Sequence, residues 1–193
     1  MTRTFIALEL NTALQRHLAG VIRQMAQALP DMRWVDPAGI HLTLTFLAEL
    51  TDERLAAAEE ATRDAARQCA SFSYQLSRLG IFGSPRQPSV IWMGIAEISG
   101  MLQRTHQVLN AELLKRDFEV ETRPFSPHFT LARVKVPLSI EEQRHLQDLL
   151  ASDQRGISTT QHFSAEHLVV MKSELLRTGS RYSVLKSFKL QGQ

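Results

Sequence analysis

Two short segments of the chain share a composition that is unusual for a buried strand. HLTL places His41 and Thr43 two residues apart, and HFTL places His128 and Thr130 at the same spacing. Successive side chains of a strand point to opposite faces, so each histidine shares a face with its threonine while the apolar residues point the other way. A single triplet of this kind is commonly structural. Two matched triplets in 193 residues predict one site built by two strands.

Strand-like and helix-like patterns alternate along the rest of the chain. Asn11 is placed to cap the first helix, and Ser139 with Glu142 forms a capping-box signature for the last one. The glycines and prolines of segment 80–88 predict a loop. The predicted strands cover 4–10, 41–46, 72–76, 90–95, 128–134, 166–171 and 182–190, and the predicted helices cover 12–29, 51–70, 101–116 and 139–150.

The two halves of the chain repeat one plan. Thr4 precedes His41 by 37 residues, and Val90 precedes His128 by 38 residues, with one helix in each interval. We therefore predict a single bilobal domain over residues 1–193, with pseudo-repeats at about 3–80 and 89–190. Its fold class is α+β: a duplicated, two-lobed fold in which two antiparallel sheets line a central cleft and the helices lie outside.

Two imidazoles and two hydroxyls across a cleft indicate acid–base chemistry on an anion. Imidazole gives and takes protons near neutral pH, and hydroxyls donate to an oxyanion. The reactant that suits this set without a metal is a phosphodiester, above all a strained cyclic phosphate. Arg133 is out of phase with the second triplet, so it reaches the site only if the strand bulges, and a surface ion pair is the alternative. Trp34 and Phe46 could stack on a nucleobase, but we assign both to the core.

Composition limits the remaining classes of function. Cys69 is the only cysteine, which excludes an intramolecular disulfide or a cysteine metal cluster and fits a reducing compartment. Neither triplet has the His-x-His or His-x-x-x-His spacing of a metal site, so we predict no metal and no cofactor. There is no signal-peptide pattern and no apolar run of about 18 residues. We expect a cytoplasmic protein that makes no membrane contact and acts as a monomer.

Longer segments carry a family resemblance that extends over nearly the whole chain. RTFIALEL, RWVDPAGIHLTLTFL, FGSPRQPSVIWMGI, PHFTLAR and GSRYSVLKSFKL resemble the RNA 2′,3′-cyclic phosphodiesterase (LigT-like, 2′–5′ RNA ligase) family of 2H phosphoesterases. Ala48-Glu49 stands where that family usually has Gly-Glu, which affects a turn rather than a catalytic group.

The resemblance also implies roles for individual residues. His41 would be the proton donor and His128 the proton acceptor, a distinction that the near symmetry of the sequence cannot make. Thr43 and Thr130 would hold the substrate phosphate, with Arg133 as a further candidate. The implied partner is RNA, or an oligonucleotide, that ends in a 2′,3′-cyclic phosphate.

Two classes of function remain open on the sequence. The first is metal-independent hydrolysis of RNA 2′,3′-cyclic phosphate ends to 2′-phosphomonoesters. The second is a non-catalytic module that binds RNA ends or nucleotides. Two histidines favour the enzyme, because a binding module needs donors but no matched acid and base. Ligation or hydrolysis of 2′–5′ linkages needs the same four residues and is a related alternative.

Overall fold

The computed structural model describes residues 1–153, 161–176 and 179–192. The predicted α+β class with two antiparallel sheets is confirmed. The strands are β1 (Thr2–Leu8), β2 (Arg33–Trp34), β3 (Leu42–Leu50), β4 (Phe72–Ser84), β5 (Gln87–Ala96), β6 (His128–Arg133), β7 (Phe163–Ala165), β8 (His167–Leu176) and β9 (Gly179–Lys189). The helices are α1 (Thr12–Ala28), α2 (Asp52–Gln68), α3 (Met101–Leu114) and α4 (Ile140–Asp153).

Each sheet contains strands from both halves of the chain. The first sheet has the order β3-β1-β8-β9, and the second has the order β2-β6-β5-β4-β7. In both, a motif strand lies beside the first strand of its own half, followed by a strand of the other half. The two halves of the chain therefore exchange strands, so that neither half forms a sheet of its own. The repeat bounds at about 3–80 and 89–190 stay a prediction.

Local sequence signals account for how the helices begin. The Asn11 side chain accepts a hydrogen bond from the Leu14 amide at 2.9 Å, as expected of an N-cap. At α4, the Ser139 amide donates to the Glu142 carboxylate at 2.7 Å, and the Glu142 amide donates to the Ser139 hydroxyl at 3.2 Å. This reciprocal pair is the predicted capping box.

The main hydrophobic core is one continuous cluster that includes residues of both sheets and all four helices. Leu42, Leu44, Phe129 and Leu131 of the motif strands are buried in it. The opposite face of these strands is therefore the one left for the histidines and threonines. No helix among residues 1–153, 161–176 and 179–192 has the length and apolar character needed to cross a membrane.

The prediction of a loop over 80–88 was wrong. The segment forms the tip of a hairpin, because β4 runs to Ser84 and β5 starts at Gln87. Gly80 pairs directly with Trp92, and the indole ring occupies the space where a Cβ at position 80 would lie. Gly83 has φ +93° beside a register shift, a conformation that favours glycine. The hairpin thus requires Gly80 for the close approach of the indole and Gly83 for its positive φ. The short strand β7 was also missed, because only three residues pair there.

Both motif strands bulge at the residue that follows the threonine. On β3, Thr43 and Thr45 pair with the adjacent residues Ala7 and Ile6, so the intervening leucine is the extra residue. The same happens on β6, where Thr130 and Ala132 pair with neighbouring residues of β5. Two consecutive side chains then face the core, and strand alternation is shifted by one residue beyond the bulge. Position +5 from each histidine consequently returns to the face of the histidine.

A second irregularity on β3 concerns the Ala48 that stands in place of the family's glycine. The register of β1 and β3 shifts between Phe46 and Ala48, and Ala48 has φ +59°, in the left-handed region. A side chain with a Cβ is strained there, by about 1–2 kcal/mol. The departure from the family pattern thus falls on a position whose backbone favours glycine.

This strain makes a prediction for Ala48→Gly. Relief of the left-handed strain exceeds the added entropy of the unfolded chain, about 0.4–1 kcal/mol. We therefore expect the free energy of unfolding to rise by up to about 1 kcal/mol, measured by urea denaturation. The matched control is Ala56→Gly, at an exposed position inside α2. It should lower stability by about 1 kcal/mol. Equal decreases in both variants would contradict the assignment of strain to Ala48.

Candidate active site

A cleft of about 800 Å³ lies between the two sheets. Strands β1, β3, β8 and β9 line one wall, and β4, β5 and β6 line the other. The structure brings together on this one cleft all five residues that the sequence analysis selected: His41, Thr43, His128, Thr130 and Arg133.

His41 is held from two directions at the entrance to β3. The Asp36 side chain accepts from the Ala38 amide at 3.0 Å and caps a 3₁₀ turn over Pro37–Gly39. That turn presents the Gly39 carbonyl to His41 Nδ1 at 2.8 Å. The imidazole also lies between two aromatic rings: its centroid is 4.5 Å from that of Phe5 and 4.7 Å from that of Tyr182. These contacts restrict both rotation and displacement of the ring.

His128 has the same arrangement on the opposite wall. Its Nδ1 lies 2.7 Å from the carbonyl of Ser126, again two residues earlier in the chain. Phe82 contacts the imidazole edge-on, with ring centroids 4.8 Å apart, and Trp92 lies at 6.2 Å. The two histidines are therefore held by equivalent main-chain hydrogen bonds and by aromatic neighbours on strands of their own sheets.

The main-chain hydrogen bonds determine the tautomer of both histidines. A carbonyl oxygen only accepts, so Nδ1 must carry the proton in His41 and in His128. In the neutral ring, Nε2 is then the acceptor. Nε2 also becomes the acidic N–H when the ring is protonated. Both rings thus have a single proton-transfer atom left for chemistry in the cleft.

The remaining three candidates are unpaired donors. Within the described part of the chain, the hydroxyls of Thr43 and Thr130 make no hydrogen bond, and no carboxylate lies within 4 Å of the Arg133 guanidinium. Arg133 lines the cleft because the bulge at Leu131 shifts it onto the face of His128 and Thr130. From the sequence alone, both the cleft and a surface ion pair are open to Arg133.

The environment of His41 opposes its protonation. Burial is the largest cause, and the nearby charges of Arg133 and His128 act in the same direction, while the bond to the Gly39 carbonyl acts against them. Together they lower the pKa of His41 from 6.5 to about 4. In the protein alone, His41 is therefore neutral at neutral pH.

A polar chain behind β3 connects the two walls. The Thr45 hydroxyl donates to the Asn110 side chain at 2.7 Å, and the Asn110 amide nitrogen lies 3.1 Å from His106 Nε2. His106 in turn stacks on Phe125, with centroids 4.0 Å apart. Phe125 directly precedes Ser126, whose carbonyl holds His128. Helix α3 thereby contacts residues next to both triplets, and His106 is one of its buried residues.

Aromatic residues at the cleft are the part of the site that sequence reasoning missed. Phe5, Phe82 and Tyr182 contact the histidines, but they lie on strands far from either triplet in sequence. Phe46 was assigned to the core, and this was wrong: it lines the cleft and is 66% exposed. It occupies position +5 on β3, which Arg133 occupies on β6. Counting five residues from each histidine, with a bulge assumed, could have found both.

The described residues contain no cluster of side chains that could bind a metal ion. Among residues 1–153, 161–176 and 179–192, no three histidine, cysteine, aspartate or glutamate side chains are close enough to hold a metal ion together. The chemistry available in the cleft from the described side chains is thus proton transfer and hydrogen bonding to an anion.

Comparison with known proteins agrees with this arrangement. The chain matches the family model described as LigT like Phosphoesterase over residues 8–92 and 95–182. A protein of Methanothermobacter thermautotrophicus named RNA 2′,3′-cyclic phosphodiesterase is 28% identical over 97% of this chain and 98% of its own length. One of the same name from Thermus thermophilus is 31% identical over 91% of this chain and 85% of its own length.

Solved structures show the same fold. TT0787 of Thermus thermophilus superposes with a TM-score of 0.80 at 27% identity, over 99% of both chains. E. coli LigT in complex with 3′-AMP superposes with a TM-score of 0.71 at 21% identity, over 98% of both chains. The family model spans both histidine triplets and most of the strands that line the cleft. The chain belongs to the LigT-like phosphoesterase family of the 2H superfamily.

Proposed function

We propose that the chain hydrolyses RNA 2′,3′-cyclic phosphate ends to 2′-phosphomonoesters, by two-histidine acid–base catalysis without a metal. The observation that carries the proposal is the matched pair of Nδ1–carbonyl hydrogen bonds at His41 and His128. They leave two Nε2 atoms for one cleft that also holds two unpaired threonine hydroxyls. The names of the relatives, RNA 2′,3′-cyclic phosphodiesterase, support the choice of substrate.

The placement of the histidines on opposite walls suits displacement at phosphorus. In an in-line reaction, the attacking and leaving oxygens lie on opposite sides of the phosphorus atom. His128 accepts a proton from water through Nε2, and the water oxygen forms a bond to phosphorus. The bond from phosphorus to O3′ breaks, and His41 donates a proton to O3′. The products are a free 3′-hydroxyl and a 2′-phosphate, and proton return from His128 to His41 through solvent completes the cycle.

Thr43, Thr130 and Arg133 stabilise the phosphate in this scheme. Hydroxyl donors aimed at the non-bridging oxygens become stronger partners as negative charge accumulates there. Arg133 adds a positive charge on the His128 wall. Because the cyclic ester is strained and these donors already stand in the cleft, positioning and proton transfer suffice for the chemistry.

The lowered pKa of His41 bears directly on its role as donor. A value of about 4 leaves little protonated imidazole at neutral pH in the protein alone. An anionic phosphate between the walls favours the charged imidazole and offsets Arg133, so substrate binding raises the pKa of His41. The donor role thus depends on bound substrate. The reverse assignment, with His41 as base, would need no such rise.

Substitution of single site residues tests the enzyme proposal. We expect His41→Ala and His128→Ala each to lower kcat on a 2′,3′-cyclic nucleotide by roughly 10²- to 10⁴-fold. Thr43→Ala or Thr130→Ala removes one hydrogen bond to charge and should cost about 10- to 100-fold, less than the loss of the histidine on the same strand. The double histidine variant should lose less than the product of the single losses.

Turnover in these assays is followed in EDTA, where the parent chain should keep its activity. His162→Ala is the matched control, because His162 is exposed and lies outside the cleft. It should retain parental turnover. Near-native activity of both site-histidine variants, with folding verified by circular dichroism, would contradict the enzyme proposal and favour the non-catalytic binding module. Loss of activity in EDTA with recovery on adding Mg²⁺ or Zn²⁺ would contradict the metal-independent scheme.

The pKa of His41 can be measured directly by NMR titration of its imidazole. We expect a midpoint of about 4 in the protein alone. Inorganic phosphate should raise it, because an anion favours the imidazolium. Arg133→Gln should also raise it, because the cation that opposes protonation is removed. Lys186→Gln, which removes an exposed cation outside the cleft, should leave it unchanged. A midpoint that phosphate fails to raise would favour His41 as the base.

A further inference from the structure

A second concavity adjoins the cleft on the side of β6. It has a volume of about 410 Å³ and is formed by residues of segments 31–33 and 133–138 together with Glu142. We name it the basic groove, for its cations Arg33, Arg133 and Lys135. Arg133 also lines the cleft, so the groove continues from the place where the substrate phosphate would lie.

The cations of the basic groove are unusual in their pairing. Arg33 and Arg133 are direct cross-strand partners in the β2–β6 ladder, so their side chains leave the sheet on the same face. Like charges directly opposite each other are destabilising. In the described parts of the chain, neither arginine, nor Lys135, has a carboxylate within 4 Å. An anion bound between them would remove the repulsion.

The two carboxylates that line the groove form no ion pair with these cations within the described residues. Glu142 is already engaged by the amide of Ser139 at 2.7 Å, in the capping box of α4. Asp31 forms no ion pair within 4 Å with any cation that the structure describes. The groove therefore offers three cations toward a ligand that comes from outside the protein.

The lining of the cleft around the β1–β3 ladder differs in this respect. Its cation, Arg3, lies directly across that ladder from Glu49, which is an attractive cross-strand pair. Phe46 and the 69%-exposed Leu175 add apolar surface there. This lining thus combines a balanced charge pair with apolar surface, whereas the basic groove has three cations that form no ion pair with a described carboxylate.

We infer that the basic groove binds the phosphodiester on the 5′ side of the terminal nucleotide, with Arg33 and Lys135 as the residues that bind it. The inference rests on the proposed function, because it places the cyclic phosphate of the same RNA in the cleft. A polyanionic strand that leaves the cleft beside Arg133 meets the next two cations in the groove. The chain would accordingly prefer oligonucleotides to mononucleotides, with a preference that weakens as salt rises.

The test compares two substrates, a hexanucleotide that ends in a 2′,3′-cyclic phosphate and adenosine 2′,3′-cyclic phosphate. The readout is the ratio of kcat/KM for the hexanucleotide to that for the mononucleotide. In the double variant Arg33→Gln/Lys135→Gln this ratio should fall about three- to tenfold. The dependence of log(kcat/KM) on log(salt) for the hexanucleotide should become shallower, by about 0.7 for each phosphate that the variant no longer neutralises.

The matched control is Arg23→Gln/Lys186→Gln, which removes the same charges from exposed positions that line neither the cleft nor the groove. It should keep the parental ratio and salt slope. A second arm uses Arg3→Gln. If the ratio falls for Arg3→Gln and not for the groove variant, the strand leaves the cleft past Arg3 and the inference is overturned. An equal fall in the groove and control variants would show general electrostatics only, which also overturns it.

A binding measurement separates failure of this inference from failure of the proposed function. Fluorescence anisotropy is recorded with a labelled hexanucleotide that ends in a 2′-phosphate, with adenosine 2′-monophosphate as competitor. If the parent chain turns over neither cyclic substrate, the proposed function fails, and the ratio of the two affinities still reports on the groove. If the groove variant leaves the ratio of the two affinities unchanged, the basic groove does not bind the oligonucleotide, whether or not the chain is an enzyme.

Discussion

The hydrogen bond from each histidine Nδ1 to the carbonyl two residues earlier is the interaction on which the site depends. It fixes the tautomer, fixes the plane of the imidazole, and leaves Nε2 as the only ring atom for proton transfer. Gly39 and Ser126 belong to the segments that lead into β3 and β6. The position of each carbonyl is therefore set by the backbone at the start of its strand. Aromatic neighbours on both walls complete the constraint.

Strands from both halves of the chain build each wall of the cleft that the two triplets line. Since β4 pairs with β5 and β8 pairs with β1, neither sheet belongs to one half of the chain alone. The two walls are held together by the hydrophobic core that they share and by the chain segments that cross between the sheets. The Thr45–Asn110–His106 chain adds a polar connection behind the cleft. Near-identical bulges then place different residues at equivalent positions, Phe46 on one wall and Arg133 on the other.

Much of the architecture follows from the sequence, and the failures have physical reasons. Strand parity predicts that His41 shares a face with Thr43, and the spacing of the repeats predicts two matched strands. A bulge adds one residue without a sequence mark, so parity fails at Leu44 and Leu131, and Phe46 is wrongly placed in the core. Gly80 resembles a loop residue in the sequence, because the side chain that requires a glycine there, the indole of Trp92, lies on the other strand of the hairpin. Tyr182 reaches His41 only through tertiary pairing, which local patterns do not contain.

In the proposed reaction, the cleft directs water to a 2′,3′-cyclic phosphate so that the bond to O3′ breaks. The most direct measurement is ³¹P NMR of the product formed from a 2′,3′-cyclic nucleotide in H₂¹⁸O. We expect a 2′-phosphomonoester that carries one ¹⁸O per phosphorus atom, with the 3′-hydroxyl free. A 3′-phosphomonoester, or a 2′-phosphomonoester without the isotope, would contradict it.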